Sequence, residues 1–244
     1  MTFQHDSRTE HALAFLDTCK VESDLSKVIA EFHRTIEAYG FPHCACGAWA
    51  GISKQRQHRF FFNSWPQAWM DIYTKDNIFA EDPLVYESFR RISAFTWSEA
   101  RLQRKFSRRG REIDQVVRDF GWKEIVAVPV HGPADYQGLV SLATLSPVQL
   151  TLRDLAMLQA VGLAVHDRCR MQTDFGMEAL PAPLTPREVE CLQWAAVGKT
   201  DWEIGQLLEV SAATAHYHIE RAKAKLGVSS RVQAVALAVL RGLI

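Results

Sequence analysis

Six residues along the first half of the chain have the types and spacing to hold a small polar and apolar molecule: Trp65, Trp69, Tyr73, Asp82, Pro83 and Trp97. Trp69 and Tyr73 are four apart, so on a helix they share one face and can aim an indole N–H and a phenol O–H into a common cavity. An ionised Asp82 adds a carboxylate that only accepts hydrogen bonds. Two donors and one strong acceptor among aromatic walls suit an amphiphile with carbonyl oxygens, an amide N–H and an apolar tail. On pattern alone the plainer reading, aromatic core residues beside a helix-capping aspartate, is the preferred one.

A second polar set gathers further along: Lys199, Thr200, Ser211, Thr214, His216, Glu220 and Arg221. Ser211 reads as the cap of a helix in which Ala215, Ile219, Ala222 and Leu226 form one buried stripe that stops at Gly227. The opposite face shows Ala212, Ala213, His216, Tyr217, Glu220, Lys223 and Ala224, small and polar groups of the kind that enter a major groove about 12 Å wide. In that role Lys199, Thr200, Ser211, Thr214 and Arg221 are candidate phosphate contacts, and His216 and Glu220 are candidate base readers. Capping and periodicity fit an all-helical packing module with no nucleic acid partner equally well.

Other chemistries find little support. Asp82 and His131 could be imagined as acid and base, but nothing spaces a nucleophile, a base and an orienting group together, so no catalytic residue is assigned and the chain is not expected to be an enzyme. Cys44 and Cys46 fall on one side of a strand without a second pair or a histidine cluster, so no metal site and no cofactor are expected. Five cysteines without regular spacing argue against a disulfide framework. Lys plus Arg and Asp plus Glu both number 28, so bulk charge does not steer the chain toward nucleic acid. From Leu184 onward the balance is seven basic to six acidic residues, so DNA affinity would have to come from placement and from two copies acting together. No apolar run approaches the ~18–20 residues of a membrane span, and no signal-peptide core is evident, which leads to the expectation of a cytoplasmic protein without membrane contact.

The elements that must position these residues follow from periodicity. Glu10–Lys20 and Asp24–Tyr39 are amphipathic helices, the second carrying Leu25, Val28, Ile29, Phe32 and Ile36 on one side. Cys44–Ile52 and Arg59–Ser64 read as adjacent antiparallel strands. A helical run follows Trp65-Pro66 through Tyr73, and another begins at Asp82-Pro83. Arg101 to Arg111 holds six basic residues, read as a solvated face. Ile125–Val130 and Gly138–Thr144 are a second strand pair, and Leu152–Met171 is a long helix. This order predicts an α+β fold, an N-terminal α/β/α sandwich around one antiparallel sheet, over residues 1–172. Residues 173–183 read as a linker. Residues 184–244 read as four short helices: one capped by Thr185 and Glu188, one by Thr200 and Glu203 with Ile204, Leu207 and Leu208 inward, the Ser211 helix, and a last helix with Val232, Val235, Ala236, Val239 and Leu240 as its apolar positions.

The run from Leu184 to the last residue closely resembles the helix-turn-helix of LuxR-type transcription regulators, whose most characteristic positions fall on Glu188, Leu192 and Gly198. The spacing W-x3-Y, eight residues, D-P and a tryptophan fifteen after the aspartate is similar to the signature of acyl-homoserine-lactone-binding domains. The resemblance implies a quorum-sensing regulator in which Trp69 holds the lactone carbonyl, Tyr73 the acyl carbonyl and Asp82 the amide N–H. Pro83 and Trp97 form the pocket wall, and Ser141 contacts a carbonyl. It implies a homodimer on double-stranded DNA, a small-molecule signal, and RNA polymerase as a further candidate partner. A LuxR-type orphan regulator, responding to another molecule or to none, is the alternative. One departure stands out: Ile125 occupies a position where the family usually has glycine, taking space and removing backbone latitude. In the recognition helix Ala215 replaces the usual valine, and His216, Glu220 and Arg221 are not the commonest choices.

Overall fold

The structure, a computed structural model, describes residues 2–50, 57–75, 78–103, 106–132, 136–173 and 183–244. The chain divides into two compact units, one carrying the sheet and one carrying the last four helices. The expected linker falls almost wholly outside the described residues.

The first unit is an α+β sandwich. Helices α1 (Thr2–Val21) and α2 (Leu25–Ala38) precede strands β1 (His43–Ala50) and β2 (Gln57–Asn63). Helix α3 (Gln67–Lys75), a single 3₁₀ turn (Ile78–Glu81) and α4 (Pro83–Ser88) follow, then β3 (Phe95–Thr96), α5 (Trp97–Gln103) and α6 (Arg108–Phe120). Strands β4 (Glu124–His131) and β5 (Gln137–Thr144) and the long α7 (Leu152–Met171) complete it. The five strands form one sheet in the order β2-β1-β5-β4-β3, every neighbouring pair antiparallel. The two strand pairs expected from the sequence thus join through β1 and β5.

Alternation along the strands separates two cores. Val126 and Val128 of β4 and Val140 and Leu142 of β5 point toward α1, α2 and α7, where Phe15, Phe32, Ile36, Leu158, Val161 and Val165 are fully enclosed. Ile125, Ala127, Leu139 and Ala143 point the other way, toward Trp69, Tyr73, Trp97, Ile113 and Val117 of α3, α5 and α6. The basic segment splits between α5 and α6. Its Arg101, together with Arg118, converges on the buried carboxylate of Asp114 at 3.1 and 2.7 Å, while Arg108 and Arg109 pair with Glu112.

Helix α7 is seated by a glycine. A Cβ at Gly138 would stand 2.1 Å from Nε2 of His166, a ring enclosed between α7 and the sheet. Burial pushes the His166 imidazole down to about 4, against a hydrogen bond to the Gly47 backbone.

The second unit comprises α8 (Pro186–Ala196), α9 (Asp201–Leu208), α10 (Ala212–Leu226) and α11 (Arg231–Leu240). Thr185, Thr200 and Ser230 each close a full capping box, and Ser211 caps α10. Glu188 is 3% exposed and also reaches Lys225 Nζ at 2.7 Å, tying α8 to α10. Gly205 lies against the turn into α10: a Cβ there would meet the Val210 carbonyl at 2.8 Å. The expected stripe of α10 (Ala215, Ile219, Ala222 and Leu226) is buried throughout. Two apolar assignments change. Leu207 is 48% exposed, and the inward face of α11 is Ala234 and Ala238 flanked by Val235 and Leu237, with Val232, Ala236, Val239 and Leu240 outside. In a helix apolar almost all round, alanines allow the closest approach to neighbouring helices, and period alone does not choose the face.

Gly138→Ala is expected to destabilise the first unit by about 1–3 kcal/mol, the cost of overpacking against a fixed ring. Urea melts followed by far-ultraviolet circular dichroism check this, and unchanged midpoints would show that His166 can move aside.

Candidate functional site

The floor of the cavity is the sheet face carrying Leu139, Ser141 and Ala143 of β5. Ser141 pairs with Ala45 on one side and Ala127 on the other, a row of small residues that leaves space above the strands. Ala143 pairs with His43 and with Ile125, which brings one large side chain into the next row. The roof comes from α3, which turns over the sheet after Trp65-Pro66, and from the 3₁₀ turn, α5 and α6. Together Trp65, Trp69, Tyr73, Ile78, Asp82, Leu84, Trp97, Val117, Trp122, Ile125, Leu139, Ser141 and Ala143 enclose a space of about 40 Å³.

Seven of the eight ligand-site residues expected from the sequence therefore meet at one place. Trp69 and Tyr73 share the inner face of α3 with ring centroids 5.9 Å apart, and Trp65 packs on Tyr73 at 5.1 Å. Pro83 is the exception. It opens α4 at its first turn and lines a neighbouring cleft of about 280 Å³ with Asp82, Val85, Tyr86, Phe89 and Phe106.

Asp82 does two jobs at once. Its Oδ1 accepts from the Leu84 amide at 2.8 Å and caps α4, while its Oδ2 accepts from the Tyr73 hydroxyl at 2.8 Å. The capping and pocket readings of this residue are thus compatible, one oxygen serving each. Burial pushes the Asp82 carboxyl up to about 6, against the hydrogen bonds from Tyr73 and from the Leu84 and Val85 amides. Burial also raises the Tyr73 phenol well above its ordinary range, so Tyr73 remains a donor.

The tryptophans differ in what their N–H groups do. Trp97 donates to Asp114 Oδ1 at 3.0 Å, and that carboxylate is itself held by Arg101 and Arg118, so Trp97 is fixed as a wall. The Trp69 indole makes no hydrogen bond among the described residues. Trp122, which the sequence reading missed, packs edge-on to Trp69 at 5.9 Å. Leu139 and Ala143 were also missed, although they are the i−2 and i+2 neighbours of Ser141 on its strand and so share its face. Nothing in the local sequence marks Trp122, because it reaches the cavity through the left-handed turn at Gly121 that ends α6.

In the second unit the candidate DNA contacts lie along the start of α9 and the outer face of α10. Thr200 and Ser211 are the caps of these helices, and the Ser211 hydroxyl is 2.8 Å from that of Thr214. Lys199 pairs with Glu203 at 3.2 Å, and Glu220 with Lys223 at 2.7 Å. His216 is exposed and its Nδ1 lies 2.8 Å from Asp201, whose other oxygen pairs with Arg231. Burial alone would raise the Asp201 carboxyl, but the bonds from His216 and Arg231 hold it below its usual value. Arg221 is exposed and makes no ion pair among the described residues, leaving its guanidinium available for a phosphate.

Residues 24–169 match the autoinducer binding domain, and residues 182–238 match the bacterial regulatory proteins of the luxR family. The chain is 34% identical over 178 residues to the transcriptional activator protein BjaR1 of Bradyrhizobium diazoefficiens, covering 72% of each. It is 30% identical over 238 residues to the quorum sensing-dependent transcriptional regulator RpaR of Rhodopseudomonas palustris, covering 96% of this chain and 94% of that protein. Among solved structures, Escherichia coli SdiA shares the fold with a TM-score of 0.70 at 20% identity, over 96% of this chain and 97% of that one.

The raised Asp82 carboxyl has a consequence for stability in the absence of ligand. An acid whose folded pKa lies above its unfolded value disfavours the fold once it ionises. Its contribution is therefore fully present below about 3.8 and is lost as pH rises through about 6. Asp82→Asn, which cannot ionise, should remove this dependence, so the stability of wild type relative to the variant should fall across that window. Paired urea melts from pH 4 to 7 check it; parallel curves would place the Asp82 carboxylate in contact with water.

Proposed function

The chain belongs to the luxR family of bacterial regulatory proteins with an autoinducer binding domain, and on that premise we propose that its signal is an N-acyl-homoserine lactone held beneath α3. The protein is a ligand-responsive, DNA-binding transcription regulator. The observation that carries the lactone reading is the meeting of Tyr73, Asp82 and the uncommitted Trp69 N–H over a floor containing Ser141. In this reading Trp69 donates to the lactone carbonyl and Tyr73 to the acyl carbonyl, while Asp82 accepts from the amide N–H. Ser141 offers a further hydroxyl, and Trp65, Trp97 and Ile125 shape the walls, with Pro83 behind Asp82. Without ligand, Tyr73 and Asp82 satisfy each other. On binding, the single Tyr73 proton turns from Asp82 to the acyl carbonyl and the ligand amide N–H takes its place on the carboxylate, whose two oxygens have about four acceptor sites between them.

Ile125 supports the second reading, a family member that answers to another small molecule or to none, because it fills volume directly over the floor. The rest of the proposal is a cytoplasmic homodimer without catalytic activity, its sensing domain over 1–172, a linker over 173–183 and a reader over 184–244. Two readers on paired half-sites supply base contacts that one alone lacks, and RNA polymerase is a further partner.

Thermal melts with a panel of acyl-homoserine lactones test the signal. A bound ligand at a hundredfold excess over its Kd should stabilise wild type by about 2.7 kcal/mol. Asp82→Asn should keep most of the ligand-free stability and lose much of that shift. A wild type that no lactone shifts would reject the lactone and favour the second reading. For the reader, Arg221→Ala should weaken binding to all DNA sequences and lower the salt slope by about one, whereas His216→Ala should change sequence preference. Gel-shift titrations across salt and operator variants check this. A footprint on a single half-site, indifferent to both changes, would count against paired reading.

A further inference from the structure

Trp122 is 5% exposed, and its Nε1 has no hydrogen-bond partner among the described residues although the atom is closed from water. Such a donor costs stability, and each one in a native fold calls for an explanation, a bound partner among them. Position shows what could. Trp122 lines the cavity beside Trp69, edge to face at 5.9 Å, with Phe120 packed on both rings at 5.0 and 5.2 Å. The backbone fixes this placement, since Gly121 at φ 101 turns the chain from α6 into β4 and delivers the indole to the cavity wall. The contrast with Trp97 is direct: that indole lines the same cavity, yet its N–H is spent on Asp114.

We infer that Trp122 is a second indole donor to the head group of the ligand, so that the ring held at this end of the cavity presents acceptor oxygen to both Trp69 and Trp122. A lactone meets that demand. Its carbonyl oxygen has two lone pairs and its ring oxygen offers a further, weaker acceptor, so both N–H groups can be satisfied by one five-membered ring. A carbocyclic head of the same shape has no oxygen and leaves both donors unpaired in a closed, largely apolar site. The preference for lactone over carbocycle is then built into the pair of tryptophans, and Asp82 and Tyr73 hold the amide further along. This assignment rests on the cavity being a lactone site.

The test is a cycle between protein and ligand. The full chain, as wild type and as Trp122→Phe, is titrated with an N-acyl-homoserine lactone and with the N-acyl-cyclopentylamine of the same chain, which lacks both head-group oxygens. Tryptophan fluorescence and melting shifts report binding. A second variant with β-(3-benzothienyl)alanine at position 122 keeps the ring's shape and exchanges the N–H for sulfur. Because each comparison is between two ligands on one protein, any general loss of stability cancels. Wild type should prefer the lactone, and both variants should lose about tenfold of that preference, the worth of one buried hydrogen bond. An unchanged preference in the benzothienyl variant would overturn the inference while leaving the lactone reading intact. So would a change confined to the ratio between 3-oxo and unsubstituted acyl chains, which would send the N–H to the tail. If wild type binds neither compound, the lactone reading fails and this inference fails with it.

Discussion

The pleat of the central sheet is the constraint on which the first unit depends. Side chains on β4 and β5 alternate strictly, so Val126, Val128, Val140 and Leu142 build one core, and the intervening Ile125, Ala127, Leu139, Ser141 and Ala143 face the other. The two faces answer to different demands. One packs large aliphatic and aromatic groups against α1, α2 and α7, most of them fully enclosed. The other combines a row of small residues with a roof of indoles, and the mismatch in size leaves the cavity. A one-residue slip of either strand would exchange the two sets, filling the cavity and emptying the core, so register and site are fixed by the same interaction.

Within the cavity the chemistry is governed by a carboxylate that water does not fully reach. Asp82 is kept in place by obligations on two sides: the α4 amides need an acceptor, and the Tyr73 hydroxyl needs one as well. The arrangement is satisfied in itself and still has acceptor capacity to spare. Trp69 and Trp122 are the counterpart: both line the same space, and neither indole N–H has a hydrogen-bond partner among the described residues. A cavity that holds a paired carboxylate beside unpaired donors can orient an elongated amphiphile through its polar groups.

Much of this was legible in the sequence, and what was not has identifiable causes. Trp69 and Tyr73 were readable because helical spacing is local, and the strand pairs because alternation is local. The sequence reading treated the cap and pocket roles of Asp82 as rivals, whereas two oxygens on one side chain perform both. Trp122 reaches the cavity through a turn, and the Asp114 cluster that orients Trp97 joins α5 to α6; neither has a periodic signal. The inward face of α11 was misjudged for a different reason. With valines, leucines and alanines on all sides, the deciding quantity is how closely Ala234 and Ala238 let the helices approach, a property of the packed pair and not of the pattern.

In the reader, Asp201 holds His216 of α10 with one oxygen and Arg231 of α11 with the other. The surface that would face a base is therefore not a row of independent letters. A change at position 216 alters what is presented outward and also releases one arm of a clamp that spans three helices, so substitutions at 201, 216 and 231 carry epistasis and do not add. Ala213 lies on the same outer face and is exposed without any such tie. If this face reads an operator as proposed, drift in its preference has a smooth route through position 213, and through 216 only when its two partners change with it.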